Sequence, residues 1–180
     1  SLELILMIFP EFRNIKIFSK LNSIQKDLLR EKDFIFLLSL MIIDETDNTD
    51  YFLYKFNISN KDKKRIKSID NFFKEKIDSK SFTKNNIDKI FYYQGKEVTL
   101  DILSHKIIKS KKADNSLKEL INHYEKKITP IMPVNADFLM KKYKIPEGKQ
   151  LGDKLRIIED KWVKNNFRIS DEDVDSIVNS

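Results

Sequence analysis

An all-helical fold, a multi-helix body followed by a helical tail, is predicted by three features of the 180-residue sequence. Apolar residues recur at intervals of three and four, capping residues precede several of those runs, and turn-formers are scarce. Three glycines and four prolines are too few for a β-sandwich, which needs a turn signal every ~8–12 residues. With 41% hydrophobic and 34% charged residues, the chain has the composition of a folded domain rather than a disordered tail.

The elements follow in order. Ile17, Leu21, Ile24 and Leu28 predict one helix or two short ones over 13–30. Residues 33–44, apolar nearly all round, predict a buried helix; the run from Phe34 to Ile43 is about half of the ~20 residues that span a bilayer. Asp44 to Asp50 reads as an acidic loop, and Tyr51 to Phe56 suits a strand by its aromatics or a helix by its context. Ser59, with Asp62 three residues on, is an N-cap for a helix carrying Ile66, Ile69, Phe73 and Ile77. Ile87, Ile90 and Phe91 share an element over 83–93 that Gly95 closes, and Leu100, Leu103 and Ile107 define the next. After a linker at 109–112, Ser116 and Glu119 form a capping-box pattern for a helix holding Leu117, Leu120, Ile121 and Tyr124.

Proline at 130 and 133 forbids helix there, because each lacks a donor and restricts the residue before it. This segment divides a body, 1–128, from a tail, 129–180. In the tail Asn135 caps a helix at 136–143. Leu151, Leu155, Ile158 and Trp162 make the apolar face of a second helix. Ser170 caps a third, whose Asp171, Glu172 and Asp173 sit where the helix dipole favours anions.

The net charge of +6 is unevenly placed: residues 1–50 carry −3, residues 51–127 carry +9, and residues 128–180 are neutral. The densest clusters are Lys61, Lys63, Lys64, Arg65 and Lys67 at a helix start, Lys109, Lys111 and Lys112 in a linker, and Lys126 and Lys127 at a helix end. Such clusters displace condensed counterions from a nucleic-acid backbone. A solvated helix face is the plain alternative, and Lys126 and Lys127 suit a helix C-terminus. The 61–67 cluster is harder to dismiss, because cations at a helix N-terminus oppose its dipole. Tyr51, Phe52, Tyr54, Phe56, Tyr92 and Tyr93 could stack on bases, although core packing is the usual fate of aromatics at such spacings.

Several chemistries lack their residues. The sequence has no cysteine, which removes thiolate metal sites and thiol nucleophiles and fits a reducing compartment, so the cytoplasm is expected. Glu3, rather than a basic region, precedes the short run Leu4 to Phe9, so a signal peptide is not indicated. His105 and His123 are eighteen apart, have no metal-binding spacing, and are each expected to be a surface or partly buried residue. Glycine-led phosphate loops and nucleophile elbows are missing. Neither Glu159-Asp160 nor Asp171-Glu172-Asp173 has the look of a two-metal pair, so no catalysis is expected of this chain alone.

Gly148 and Gly152, four apart, let a backbone or a phosphate approach the amides at a helix start; close packing of the preceding helix accounts for them equally well. Around them, Met132-Pro-Val-Asn-Ala-Asp-Phe-Leu-Met140, Ile145-Pro-Glu-Gly-Lys-Gln-Leu-Gly152, and Leu155 to Phe167 with its Trp162 resemble the C-terminal region of bacterial tRNA nucleotidyltransferases (CCA-adding enzymes) and poly(A) polymerases. Asp137, Leu139, Gly148, Leu151 and Gly152 match that family's pattern. Asn135 stands for its first glycine, Phe138 is an insertion, and Lys149 replaces its second proline. Leu2 to Phe12 resembles the Phe-Pro-Glu segment that follows the family's neck, and Phe56 to Arg65 its Ser-Asn-Lys helix start.

The resemblance implies a helical body and tail, cut from a longer enzyme after the neck, that hold the acceptor and T-arm of tRNA or another structured RNA. Lys61, Lys63, Lys64, Arg65, Lys67, Lys109, Lys111 and Lys112 would then neutralise phosphates, and Gly148, Lys149 and Gly152 would form an anion site. It also implies that catalysis, with Mg2+ and ATP or CTP, belongs to a head this chain lacks. A different reading is a helical interaction or dimerisation module, a possible homodimer, whose lysines only solvate it and whose Phe9, Phe12 and 34–43 run are left exposed.

Overall fold

In the computed structural model the described residues are 2–75, 77–78, 80–110 and 115–179, and among them every regular element is a helix. These are α1 (Leu2–Ile8), a 3-10 helix (Ile15–Lys20), α2 (Ser23–Arg30), α3 (Phe34–Ile42), α4 (Asn48–Lys55), α5 (Asn60–Lys74), α6 (Lys84–Lys109), α7 (Asn115–Lys126), α8 (Ala136–Tyr143), α9 (Lys149–Lys164) and α10 (Asp171–Asn179). The chain forms two compact units, residues 1–127 and 128–180.

Caps explain many of the boundaries. Asn22 and Gln25 bond reciprocally at the start of α2, so residues 13–30 form two short elements. Asp33 accepts the Phe36 amide at the start of α3, and Ser59 accepts that of Asp62 at the start of α5. The acidic stretch is only partly loop: α4 begins at Asn48, whose amide side chain donates to Glu11 O and Ile42 O, and Tyr51 to Lys55 is helical. α5 stops at Lys74, leaving Ile77 beyond the helix but packed against its core. Gly95, at φ 84°, breaks α6 in a conformation open to glycine. Ser116 lies inside α7 rather than at its cap.

In the first unit α3 supplies the centre, with Phe36, Leu38, Leu40 and Ile42 buried and only Phe34 well exposed. Leu38 and Ile42 meet Phe52 and Leu53 of α4, Ile66, Ile69 and Phe73 of α5, and Val98 and Ile102 of α6. On the other side of α6, Ile87, Phe91, Leu103 and Ile107 pack on Leu117, Ile121 and Tyr124 of α7. Phe9 and Phe12 stack on each other at 5.1 Å and are half-buried near Phe52 and Phe56, so neither they nor the 34–43 run form an open apolar surface. α1 is more open: its Leu4, Met7 and Ile8 are 60%, 80% and 66% exposed.

His105 corrects an expectation. It is fully buried between Phe36 and Phe73, whose rings lie 5.2 and 5.5 Å away. Ser39 Oγ lies 2.6 Å from Phe36 O and 2.8 Å from His105 Nε2, so the imidazole is hydrogen-bonded to the hydroxyl on that side. Nδ1 has no hydrogen-bond partner among the described residues, and burial holds the imidazole well below its ordinary pKa. The unfolded chain therefore binds a proton near pH 6.5 that the folded chain refuses, so stability is complete above that pH and falls below it. Urea midpoints at several pH values should fall on acidification through this range, and His105→Phe should flatten that dependence. His123 is exposed, as expected.

In the second unit Asn135 caps α8 by accepting the Phe138 amide at 2.8 Å, and Ser170 accepts the Asp173 amide ahead of α10. Val134, Leu139, Ile145, Leu151, Ile158, Val174 and Ile177 share one core. Trp162 is buried and meets Phe167 edge-on at 4.9 Å. Lys161 pairs with Asp173 at 2.6 Å, tying α9 to α10.

Candidate nucleic-acid interface

The basic cluster at 61–67 divides by helix geometry. Residues on α5 advance about 100° each, so Arg65 shares the inner side with Ile66, Ile69 and Phe73, while Lys61 and Lys64 share a flank. Lys61 and Lys64 are exposed and Lys63 half-buried, and none of the three makes an ion pair among the described residues. Asp62, bonded to Ser59 Oγ at 2.6 Å, is the acidic group in this first turn. Three cations thus face a positive helix end with one carboxylate beside them, an arrangement that external anions relieve.

Arg65 is not part of that surface. Only 8% exposed, it bonds through Nε to Asp101 at 2.7 Å, and its terminal nitrogens reach Asp33 at 2.5 Å and Glu97 at 3.1 Å. Burial alone would lower the guanidinium pKa; bonds to Asp101 and Asp33 outweigh it and raise it. Its role is to pin the start of α3 and the middle of α6 to α5. Lys67 spends its charge on Asp50 of α4 at 2.9 Å. Lys109 donates to Ile43 O at 3.1 Å and lies over the Phe73 ring, where burial holds its amine below the usual lysine pKa. It belongs to the interior of the body rather than to a linker surface. Lys111 and Lys112 lie outside the described residues. Lys127 bonds Asp88, and Lys126 is exposed.

The aromatics separate as well. Phe52 is in the core, but Tyr51, Tyr54 and Tyr93 are 57%, 91% and 52% exposed. Tyr54, in the last turn of α4 just before the α5 start, is a planar surface that helical spacing alone did not single out.

In the second unit Gly148 caps α9 at φ 146°, a value that L side chains rarely adopt, and without a side chain it leaves the first-turn amides uncapped. Lys149 begins the helix, exposed and without an ion pair among the described residues. Gly152 differs from the expectation: its own amide donates to Gly148 O at 3.2 Å, so it offers nothing to an anion. Nor does close packing explain it, since a Cβ built there meets no atom within 4 Å.

Among the described residues no group of three or more His, Asp or Glu side chains is placed to hold a metal, and no helix is long and apolar enough to cross a membrane. Compared with known proteins, the chain matches the family model for tRNA nucleotidyltransferase domain 2 over residues 28–174, from within α2 to within α10. The Phe-Pro-Glu segment near Phe9 lies outside that match. Neither the curated proteins nor the solved structures gave a match.

Proposed function

Because this chain belongs to the tRNA nucleotidyltransferase family through its second domain, we propose that it is the RNA-holding body and tail of an enzyme that extends RNA 3′ ends without a template, by CCA or poly(A) addition. The observation that carries this reading is the trio Lys61, Lys63 and Lys64, without an ion pair among the described residues and at a helix end whose dipole repels them. The trio grips backbone phosphates, Tyr54, exposed in the last turn of the preceding helix, offers a stacking plane, and the uncapped amides after Gly148, with Lys149, take a further phosphate. Arg65, Lys67 and Lys109 hold the scaffold instead. In this reading Mg2+, nucleotide and the bond-forming step belong to a catalytic head outside this chain, and the protein works in the cytoplasm on tRNA or another structured RNA. Filter binding with a tRNA transcript tests it: affinity that weakens steadily with salt is expected, and no affinity, or affinity indifferent to salt, overturns it.

A second reading, an interaction or dimerisation module, is favoured by the exposed apolar residues of α1. Sedimentation without RNA separates the two, since this reading requires a tight dimer with no RNA affinity.

A further inference from the structure

Gly152 carries a cost that its own unit does not repay. It sits at a helical φ in the first turns of α9, where alanine would be the better helix former, and a Cβ there would meet nothing. Its missing side chain leaves the wall of a groove open. That groove, of about 540 Å³, runs between residues 131–136 and α9. Met132, Val134 and Leu155 give it an apolar floor, Ile131 stands at its rim 88% exposed, and Arg156 borders it, exposed and with no ion pair among the described residues. The volume lies within the range that takes a nucleotide-sized ligand.

We propose that this groove takes one unstacked nucleobase of the bound RNA, lying flat against Gly152 and the aliphatic floor with the Arg156 guanidinium stacked on its outer face. The inference rests on the RNA-holding reading and adds a site to it. Arg156 is both the charge that complements an RNA strand and a planar group of the kind on which splayed bases stack. Glu159 also lines the groove, and its negative charge disfavours a phosphate within it. Ile131 gains cover that the chain itself does not give it.

The test uses the full chain with two probes: a tRNA transcript, and a short single-stranded oligoadenylate carrying the fluorescent base 2-aminopurine. Wild type should raise the fluorescence of the base analogue on binding, because leaving the stack of adenines relieves its quenching and the groove holds no aromatic ring to restore it. Gly152→Ala should melt at a higher temperature than wild type yet bind the oligonucleotide more weakly, and Gly152→Leu should weaken it by about tenfold or more. Arg156→Lys should fail to restore what Arg156→Ala loses, because the plane rather than the charge is needed. A fluorescence rise unchanged in Gly152→Leu, or tRNA binding with no rise for the oligonucleotide in wild type, overturns the groove and leaves the RNA reading standing. Absence of binding to either probe overturns both.

Discussion

Arg65→Met should destabilise the first unit by about 3–5 kcal/mol, the range seen when one partner of a buried ion pair is removed. The Asp101 side chain is 3% exposed and, without Arg65, keeps Lys32 at 3.9 Å as its one ion-pair partner among the described residues. Asp33 would lose its bond to Arg65 while still capping α3 through the Phe36 amide. Arg65→Lys should recover little, since one ammonium cannot reproduce a fork shared among three carboxylates. The deficit also has a pH signature. Burial already pushes the Asp101 carboxyl up against the pull of Arg65, so in the variant it takes a proton more readily than in the unfolded chain. A folded carboxyl with a raised pKa gains stability as pH falls, so the difference between wild type and variant should shrink on acidification. Urea unfolding of both proteins across pH measures this; a constant difference, or one under about 1 kcal/mol, would mean that the cluster does not pin these helices.

The second expected result comes from neighbouring residues and has the opposite character. Lys61→Ala, Lys63→Ala and Lys64→Ala combined should leave the unfolding midpoint nearly unchanged, as surface substitutions of unpaired side chains do. The same variant should lose about 100-fold in tRNA affinity near 0.1 M salt, if each lysine neutralises one phosphate. In the proposed reading, the chain passes from binding at Lys61 to architecture at Arg65 within about one helical turn. A triple variant that unfolds early, or that binds tRNA as wild type does, would remove the lysines from the RNA-facing role.

How much of this the sequence disclosed depends on whether a residue's partner is near in the chain. Caps are local, so Ser59, Asn135 and Ser170 could be read directly, and so could the break at Gly95. Arg65 could not, because Asp33 and Asp101 are 32 and 36 residues away, although its spacing to Ile69 and Phe73 places it on the apolar face. Asp101, His105 and Lys109, at successive intervals of four, show the same limit: polar residues on one side of a helix read as a solvent face, yet here they line a buried seam against α3 and α5. Gly152 was visible as half of a glycine pair. Only the empty space around its Cβ distinguished room for a ligand from close packing. Arg156 and Ile131 carried no sequence signal, since one exposed arginine and one isoleucine beside a proline are ordinary.

The proposed grip of the lysine trio on RNA is electrostatic, a reading that the family match supports. The most direct measurement is the slope of log affinity for a tRNA transcript against log salt, taken for wild type and for the triple lysine variant. The expected result is a linear fall whose slope is shallower by about two in the variant, one counterion for most of the lysines removed. Equal slopes, or no measurable tRNA affinity in wild type at low salt, would contradict it.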